Sequence, residues 1–411
     1  MTEAPVLHLP SVHFPNGGRV WPNKSRDYKK FEAGFKSLSM RALLMAGADD
    51  IVITDKAPDS EYMAFLKTLG SGGSRAIVPS HKGGSCLAED VLKSPEVMDF
   101  IRSFSGAVEA YMVTELEEQI AASAGKKLFA APAGVVDILN DKVFFQRLLE
   151  DLDFPRVETI TGNSDAIAAK LRHFSGDEGV IVRGARGVGG SRTHIASGST
   201  ERKSLADMIE KKGKGSLFLM SKYLDVALSP NLQFYISDEC VTLFGETVQL
   251  MKNGVEHFGN LFDKVEDASI QNSIVEQGSA ICQEAAAMGY RGVVGVDFIV
   301  TKRGDVFAVE MNARHNTSTH ALWFINRFFT GDPLAMACDI SAGFVRYKSS
   351  RDFSAAQWLK TLGKDAFDPQ TGFGILPYDT GTDELAAVVA ASDAQGRRRL
   401  IELLEYESEL I

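Results

Sequence analysis

The chain has 411 residues, 45% of them hydrophobic and 24% charged, which is enough to bury more than one core, and no run of about 18 uncharged apolar residues suggests a membrane span. A formal net charge of -10 leaves no broad cationic face for a phosphate backbone and argues against nucleic acid as a partner. Cys86, Cys240, Cys282 and Cys338 are scattered without metal or disulfide spacing, and the N-terminus lacks a basic segment followed by an apolar run, so a cytoplasmic protein with reduced thiols is expected.

In the first third, β-rich runs such as 51–54 alternate with helical stretches such as 61–69, which predicts α/β units in a Rossmann-like layer. The glycine clusters at 70–74 and 81–84 lack the spacing of a dinucleotide fingerprint and read as loops. Pro132-Ala133-Gly134 marks a turn, and Asn140-Asp141 is placed to cap a helix from Lys142 to about Leu152, closed by Phe154-Pro155. Strands are then predicted within GVIVRGARGVGGS (179–191), over 216–220, and as a pair near 232–236 and 240–245, a texture of α+β lobes. Ile274, Ile281, Ala285 and Met288 recur at helical spacing and predict a helix over 270–288 that stops at Gly289. Strands over 293–300 and 306–311 follow, joined by a hairpin turn containing Arg303-Gly304-Asp305. Beyond Gly343 a short α/β segment is expected, with a strand over 372–376 and a polar helix over 397–410.

The chemistry concentrates on that hairpin. Asp297 lies in its first strand, Glu310 in the second and Asn312 two residues on, so an antiparallel return brings Asp297 near Glu310 while period two puts Glu310 and Asn312 on one face. Both acids are embedded in apolar runs, where a carboxylate is costly unless paired or metal-bound. Two carboxylates and a carboxamide oxygen suit one or two Mg²⁺ ions bridging nucleotide phosphates, with Mn²⁺ as the alternative ion. Arg314, one step further along that face, is placed to neutralise a phosphoryl group in transfer.

The order of these elements resembles the ATP-grasp superfamily over roughly 134–321. Asp141-Lys142 is similar to the pair that opens the family's nucleotide lobe, which implies an ATP contact for Lys142. Arg183 stands where the family has a phosphate-binding lysine, ahead of a loop in which Gly187, Gly189 and Gly190 would let backbone N–H groups approach phosphate and Ser191 would add a hydroxyl. LFLMSKYLD (217–225) is similar to the adenine hinge, implying ATP contacts for Ser221, Lys222, Tyr223 and Leu224, with Ser221 in place of the usual acid. HNTSTHALWF resembles a segment of the ATP-grasp ligases of natural-product pathways, the pheganomycin peptide ligase and butirosin carrier-protein ligase type. His315, Thr317, Ser318, Thr319 and His320 there either bind the acceptor or acyl phosphate, or form a polar N-cap for the helix that follows.

The resemblance implies an ATP-grasp fold: an N-terminal Rossmann-like pre-ATP-grasp domain (1–130), a nucleotide lobe (131–215), a metal and catalytic lobe (216–342) and a small C-terminal α/β segment (343–411). It implies an ATP- and Mg²⁺-dependent ligase in natural-product biosynthesis, with Arg183 and Arg314 as catalytic cations and a homodimer by analogy. Its substrates would be a small carboxylate and an amine, amino acids or a short peptide, joined through an acyl phosphate with release of ADP. Two alternatives stay open: a carrier-protein thiol as acceptor, docking at basic clusters such as Lys211-Lys212-Lys214 or 397–399, and a non-catalytic ATP-binding module.

Overall fold

Four short strands with largely buried apolar side chains, β1 (Val6–Leu9), β2 (Ile51–Ile53), β3 (Arg75–Ile77) and β4 (Ala107–Ala110), form a parallel sheet in the order β3-β2-β1-β4. Parallel neighbours need long crossovers that return over the sheet face. The helices Leu87–Leu92, Pro95–Ser103 and Glu115–Ala124 cover it, burying Leu87, Val91, Val97, Ile101 and Ile120 with Leu7, Leu9, Ile53 and Val108. This is the expected Rossmann-like layer. The computed structural model describes residues 5–12, 35–176, 178–187, 193–252, 254, 256–263, 265–329, 339–346, 353–380 and 384–410.

A second sheet is antiparallel, with β5 (Thr159–Asn163), β6 (Val180–Gly184), β7 (Thr193–Ala196) and β8 (Leu217–Lys222) in the order β5-β8-β6-β7. Helices Ser164–His173 and Ser199–Lys212 close one face of it, where Ile167, Leu171, Leu205 and Ile209 bury with Val180, Val182, Phe218 and Met220. The helix Lys142–Asp151 precedes this lobe, and Asp141 caps it as predicted, accepting from the N–H groups of Val143 (2.8 Å) and Phe144 (3.4 Å). Such a cap is worth about 1 kcal/mol.

The third sheet has nine strands: β9 (Val226–Leu228), β10 (Pro230–Ile236), β11 (Val241–Lys252), β12 (Glu256–Leu261), β13 (Gly292–Thr301), β14 (Val306–Asn312), β15 (Asp339–Arg346), β16 (Gly374–Thr380) and β17 (Glu384–Ala391). Their order is β14-β13-β10-β11-β12-β15-β17-β16, with β9 on β13. The helix Ala268–Ala287 buries Ile274, Ile281 and Ala285 with Leu232, Phe234, Val294 and Val296. The C-terminal strands therefore belong to the same sheet as the β13–β14 hairpin. The sequence boundary at 342/343 falls inside β15, because Gly343 marks a close backbone approach to Gly259 of β12; a Cβ on Gly259 would lie 2.8 Å from the Ala342 carbonyl oxygen. Among the described residues no helix is long and apolar enough to cross a membrane.

The parallel-sheet domain is locked to the large sheet by one mixed core. Leu43, Leu44 and Met45 of the short helix Ala42–Met45 bury with Leu322, Phe324 and Ile325 of the helix Thr319–Phe328 and with Ile340, Leu376 and Val388. Arg327 donates to the carbonyls of Met45 (2.8 Å) and Leu44 (3.0 Å), acceptors at that helix's end that have no partner within the helix. Arg41 Nε donates to Asp379 Oδ2 at 2.6 Å, a pair with side chains 8% and 4% exposed. Removing one member of a buried pair leaves an uncompensated charge. Asp379→Ala is therefore expected to lower stability by about 3–5 kcal/mol, read as a drop in the denaturant midpoint; an unchanged midpoint would show that the pair does not hold the domains together.

Candidate active site

Antiparallel pairing of β13 and β14 sets Asp297 directly opposite Glu310 and Gly295 opposite Asn312, with a bulge between Asp297 and Phe298. The sheet around them is apolar: Val294, Val296, Phe298, Ala308 and Met311 are all buried. Burial and the Glu310 charge push the Asp297 carboxyl up to about 6, against hydrogen bonds from Asn231 and Asn312 and the nearby Arg314 charge. Asp297 Oδ1 accepts from Asn231 Nδ2 (2.6 Å) and Gln249 Nε2 (2.7 Å), and Oδ2 from Asn312 Nδ2 (2.9 Å). Lys142 Nζ lies 3.0 Å from Glu310 Oε1, and Arg314 donates through its guanidinium to Asn312 Oδ1 at 2.6 Å. Two facing carboxylates with a carboxamide, held among apolar side chains and approached by two cations, are the hard oxygen donors that Mg²⁺ takes.

The facing wall comes from the second sheet. Arg183, on β6, reaches across to donate to the Val309 carbonyl on β14 at 3.2 Å; burial disfavours its charge while Glu310 supports it. Ser221 and Lys222 end β8, and the Tyr223 N–H donates to the Gly179 carbonyl at 2.8 Å. A cleft of about 650 Å³ runs between the two walls, lined by Arg183 and Ser221–Leu224 on one side and by Asp297, Glu310, Asn312 and Arg314 on the other. Its volume suits a nucleotide with a small second molecule. Lys142 is buried at the edge, and its N–H donates to the Ala185 carbonyl at 3.0 Å, docking the loop after β6 onto the helix Lys142–Asp151. Gly187 ends the described part of that loop; Gly189, Gly190 and Ser191 lie outside the described residues.

The segment 315–320 divides. Thr317 and Ser318 line the cleft, with Ser318 Oγ accepting from Gln233 Nε2 at 2.9 Å. Thr319 is fully buried at the first position of the following helix, its Oγ1 taking the Asn316 N–H (2.7 Å) and donating to Gln233 Oε1 (2.6 Å); Ser318 holds the N-cap position without a side-chain cap bond. His315 and His320 point away from the cleft, into the contact with the parallel-sheet domain, where His315 Nε2 meets Glu109 Oε1 at 3.3 Å. Sequence reasoning missed Asn231 and Gln249, which orient Asp297. Asn231 and Gln233 alternate within the apolar run PNLQFYI, a legible signal; Gln249 lies in the part of β11 beyond the predicted end of that strand.

Asn316 lies flat on the strand at Gly295, where an added Cβ would sit 2.3 Å from its amide. Gly295→Ala is expected to displace Asn316 and cost about 1–3 kcal/mol by overpacking, read as a lower thermal midpoint. Gly134→Ala, with nothing within 4 Å of the added Cβ, is the matched control and should be neutral or stabilising.

Comparison with known proteins agrees with this layout. Residues 181–312 match the family model described as "L-aspartate--L-methionine ligase, ATP grasp", and residues 39–126 match the pre ATP-grasp domain. The large chain of arginine-specific carbamoyl phosphate synthase from Geobacillus stearothermophilus is 23% identical over 230 residues, covering 55% of this chain and 20% of that protein. The chain thus spans about a fifth of the length of the curated relatives it matches. In fold it is similar to biotin carboxylase from Campylobacter jejuni, with a TM-score of 0.58 at 14% identity over 97% of this chain and 90% of that one. It is similar also to N5-carboxyaminoimidazole synthetase from Staphylococcus aureus, with a TM-score of 0.54 at 10% identity over 98% of each chain. The two family matches, over the parallel-sheet domain and over strands of both cleft walls, together with the shared overall fold, show an ATP-grasp fold with a pre-ATP-grasp domain at its N-terminal side.

Proposed function

We propose that the chain is an ADP-forming ligase that joins the carboxylate of one amino acid to the amine of another. The observation that supports this best is the convergence of Asp297, Glu310, Asn312 and Arg314 on one end of a cleft whose opposite wall carries Arg183 and the Ser221–Leu224 segment. The family matched over 181–312 is described as a ligase of two amino acids, which supports that class and leaves the particular pair open.

On this reading the Ser221–Leu224 backbone holds the base, and Arg183 with Lys142 anchors the phosphates. Asp297, Glu310 and Asn312 would hold Mg²⁺, which would supply positive charge to neutralise the phosphoryl group in transfer. A substrate carboxylate oxygen attacks the γ-phosphorus, the bond to the β-phosphate oxygen breaks, and ADP leaves. Arg314, fixed on Asn312 and the His315 carbonyl, stabilises the phosphoryl charge without moving. The amine nitrogen then attacks the acyl carbon, phosphate departs, and the nitrogen loses a proton. Positioning and charge neutralisation carry both steps, and no covalent enzyme intermediate is required.

The test is nucleotide product formation with Mg²⁺, ATP and pooled amino acids, with mass spectrometry for new amides. ADP, phosphate and a dipeptide are expected, while AMP and pyrophosphate would overturn the reading. Asp297→Asn and Glu310→Gln are expected to lower turnover by at least about 100-fold with the fold intact; normal ADP formation by either would remove it from the metal site. Arg183→Lys should retain more activity than Arg183→Ala, since lysine keeps the cation and loses only the fork, and equal rates in the two would take Arg183 off the phosphates.

A further inference from the structure

Beneath the cleft runs a second set of ionisable side chains that phosphoryl transfer leaves unused. Glu109 sits in the short apolar strand β4 and is 8% exposed. Its Oε2 lies 2.9 Å from His8 Nδ1 and its Oε1 3.3 Å from His315 Nε2. His8 Nε2 faces Asp50 Oδ2 at 3.3 Å, and Asp50 is itself fixed by the N–H groups of Val6 (2.9 Å) and Gly47 (2.7 Å). The run Asp50, His8, Glu109, His315 joins three segments of the pre-ATP-grasp domain to the residue after Arg314. Burial opposes the charges of His8, Asp50 and Glu109, yet hydrogen bonds from His315 and His8 bring the Glu109 carboxyl below its usual range, and Asp50 and Glu109 raise His8 to about 9. The space lined by Glu109, Tyr111, Arg314 and His315 is about 10 Å³, too small for a ligand.

The run ends on Arg314. Its guanidinium donates to the His315 carbonyl at 2.9 Å, while the His315 N–H donates to the Tyr111 carbonyl at 2.9 Å. The His315 N–H and imidazole are therefore held by the other domain, and the carbonyl of the same residue steers Arg314. His320, stacked on Tyr111 with ring centroids 6.0 Å apart, packs the remaining side; its ring nitrogens are buried without partners among the described residues, and burial keeps it neutral.

We propose that Glu109 is a positioning residue which, through His315, fixes the Arg314 guanidinium at the phosphate end of the cleft, so that the pre-ATP-grasp domain sets the geometry of phosphoryl transfer. This rests on the ligase reading above. A misplacement of about 1 Å costs on the order of 100-fold in a transition state that a rigid cation must meet, while ground-state nucleotide binding made elsewhere in the cleft is spared.

The experiment is calorimetry with MgADP, alone and with aluminium fluoride as a mimic of the transferring phosphoryl group. In Glu109→Gln the affinity for MgADP alone should stay within about twofold of wild type, and the tightening conferred by fluoride should fall by about 10- to 100-fold. Arg314→Ala should lose the same tightening, and Glu109→Gln added to it should lose no more, since the two act as one unit. His8→Gln, one link more remote, gives a smaller loss in the same direction and serves if Glu109→Gln does not fold. Undiminished tightening in a folded variant, or losses that add in the double variant, would reduce the run to a structural staple. Wild-type protein that binds MgADP but gains nothing from fluoride overturns this inference alone; wild-type protein that binds no MgADP overturns the nucleotide reading and the inference with it.

Discussion

Two carboxylates held face to face in an apolar sheet are the constraint around which this molecule is arranged. Asp297 and Glu310 are register partners on β13 and β14, and neither can move without breaking the pairing that closes the core beneath them. Such a pair is unfavourable unless positive charge and hydrogen-bond donors surround it. The surroundings supply both: carboxamides from Asn231, Gln249 and Asn312, and cations from Lys142 and Arg314, drawn from strands and helices far apart in sequence.

That arrangement explains why the two lobes meet where they do. Arg183 crosses from β6 to the Val309 carbonyl, and Lys142 crosses from its helix to Glu310, so the second sheet is drawn towards the negative end of the third. The cleft is what remains between them. Its lining sets Arg183 and Ser221–Leu224 on one wall against Asp297, Glu310, Asn312 and Arg314 on the other.

The parts of this design that were legible in the sequence are those governed by short-range periodicity. Asp297, Glu310 and Asn312 stood out because a polar residue in an apolar strand needs a reason, and period two fixed which of them share a face. Asp141 announced the helix Lys142–Asp151 by cap chemistry alone. What stayed hidden depends on distant partners. Glu109 carries the same signal as Asp297, an acid in an apolar run, but a strand as short as AVEA offers too little pattern to notice it. His315 and His320 read as polar loop residues, and only the covering domain, through Glu109 and Tyr111, makes them interior. The merging of β15 with β12 turns on two glycines 84 positions apart in register, Gly259 and Gly343, which no local pattern connects.

The mixed core between the helices Ala42–Met45 and Thr319–Phe328 also bears on how the chain is made. Met45 and Arg327, bonded in the folded protein, are 282 residues apart. At a synthesis rate of about 5–20 residues per second, the leucines of the first helix wait roughly 15 to 60 s for the surface that covers them. During that interval the nascent N-terminal domain carries an uncovered apolar face, so yield at raised temperature depends on what shields it at the ribosome as well as on the stability of the finished fold.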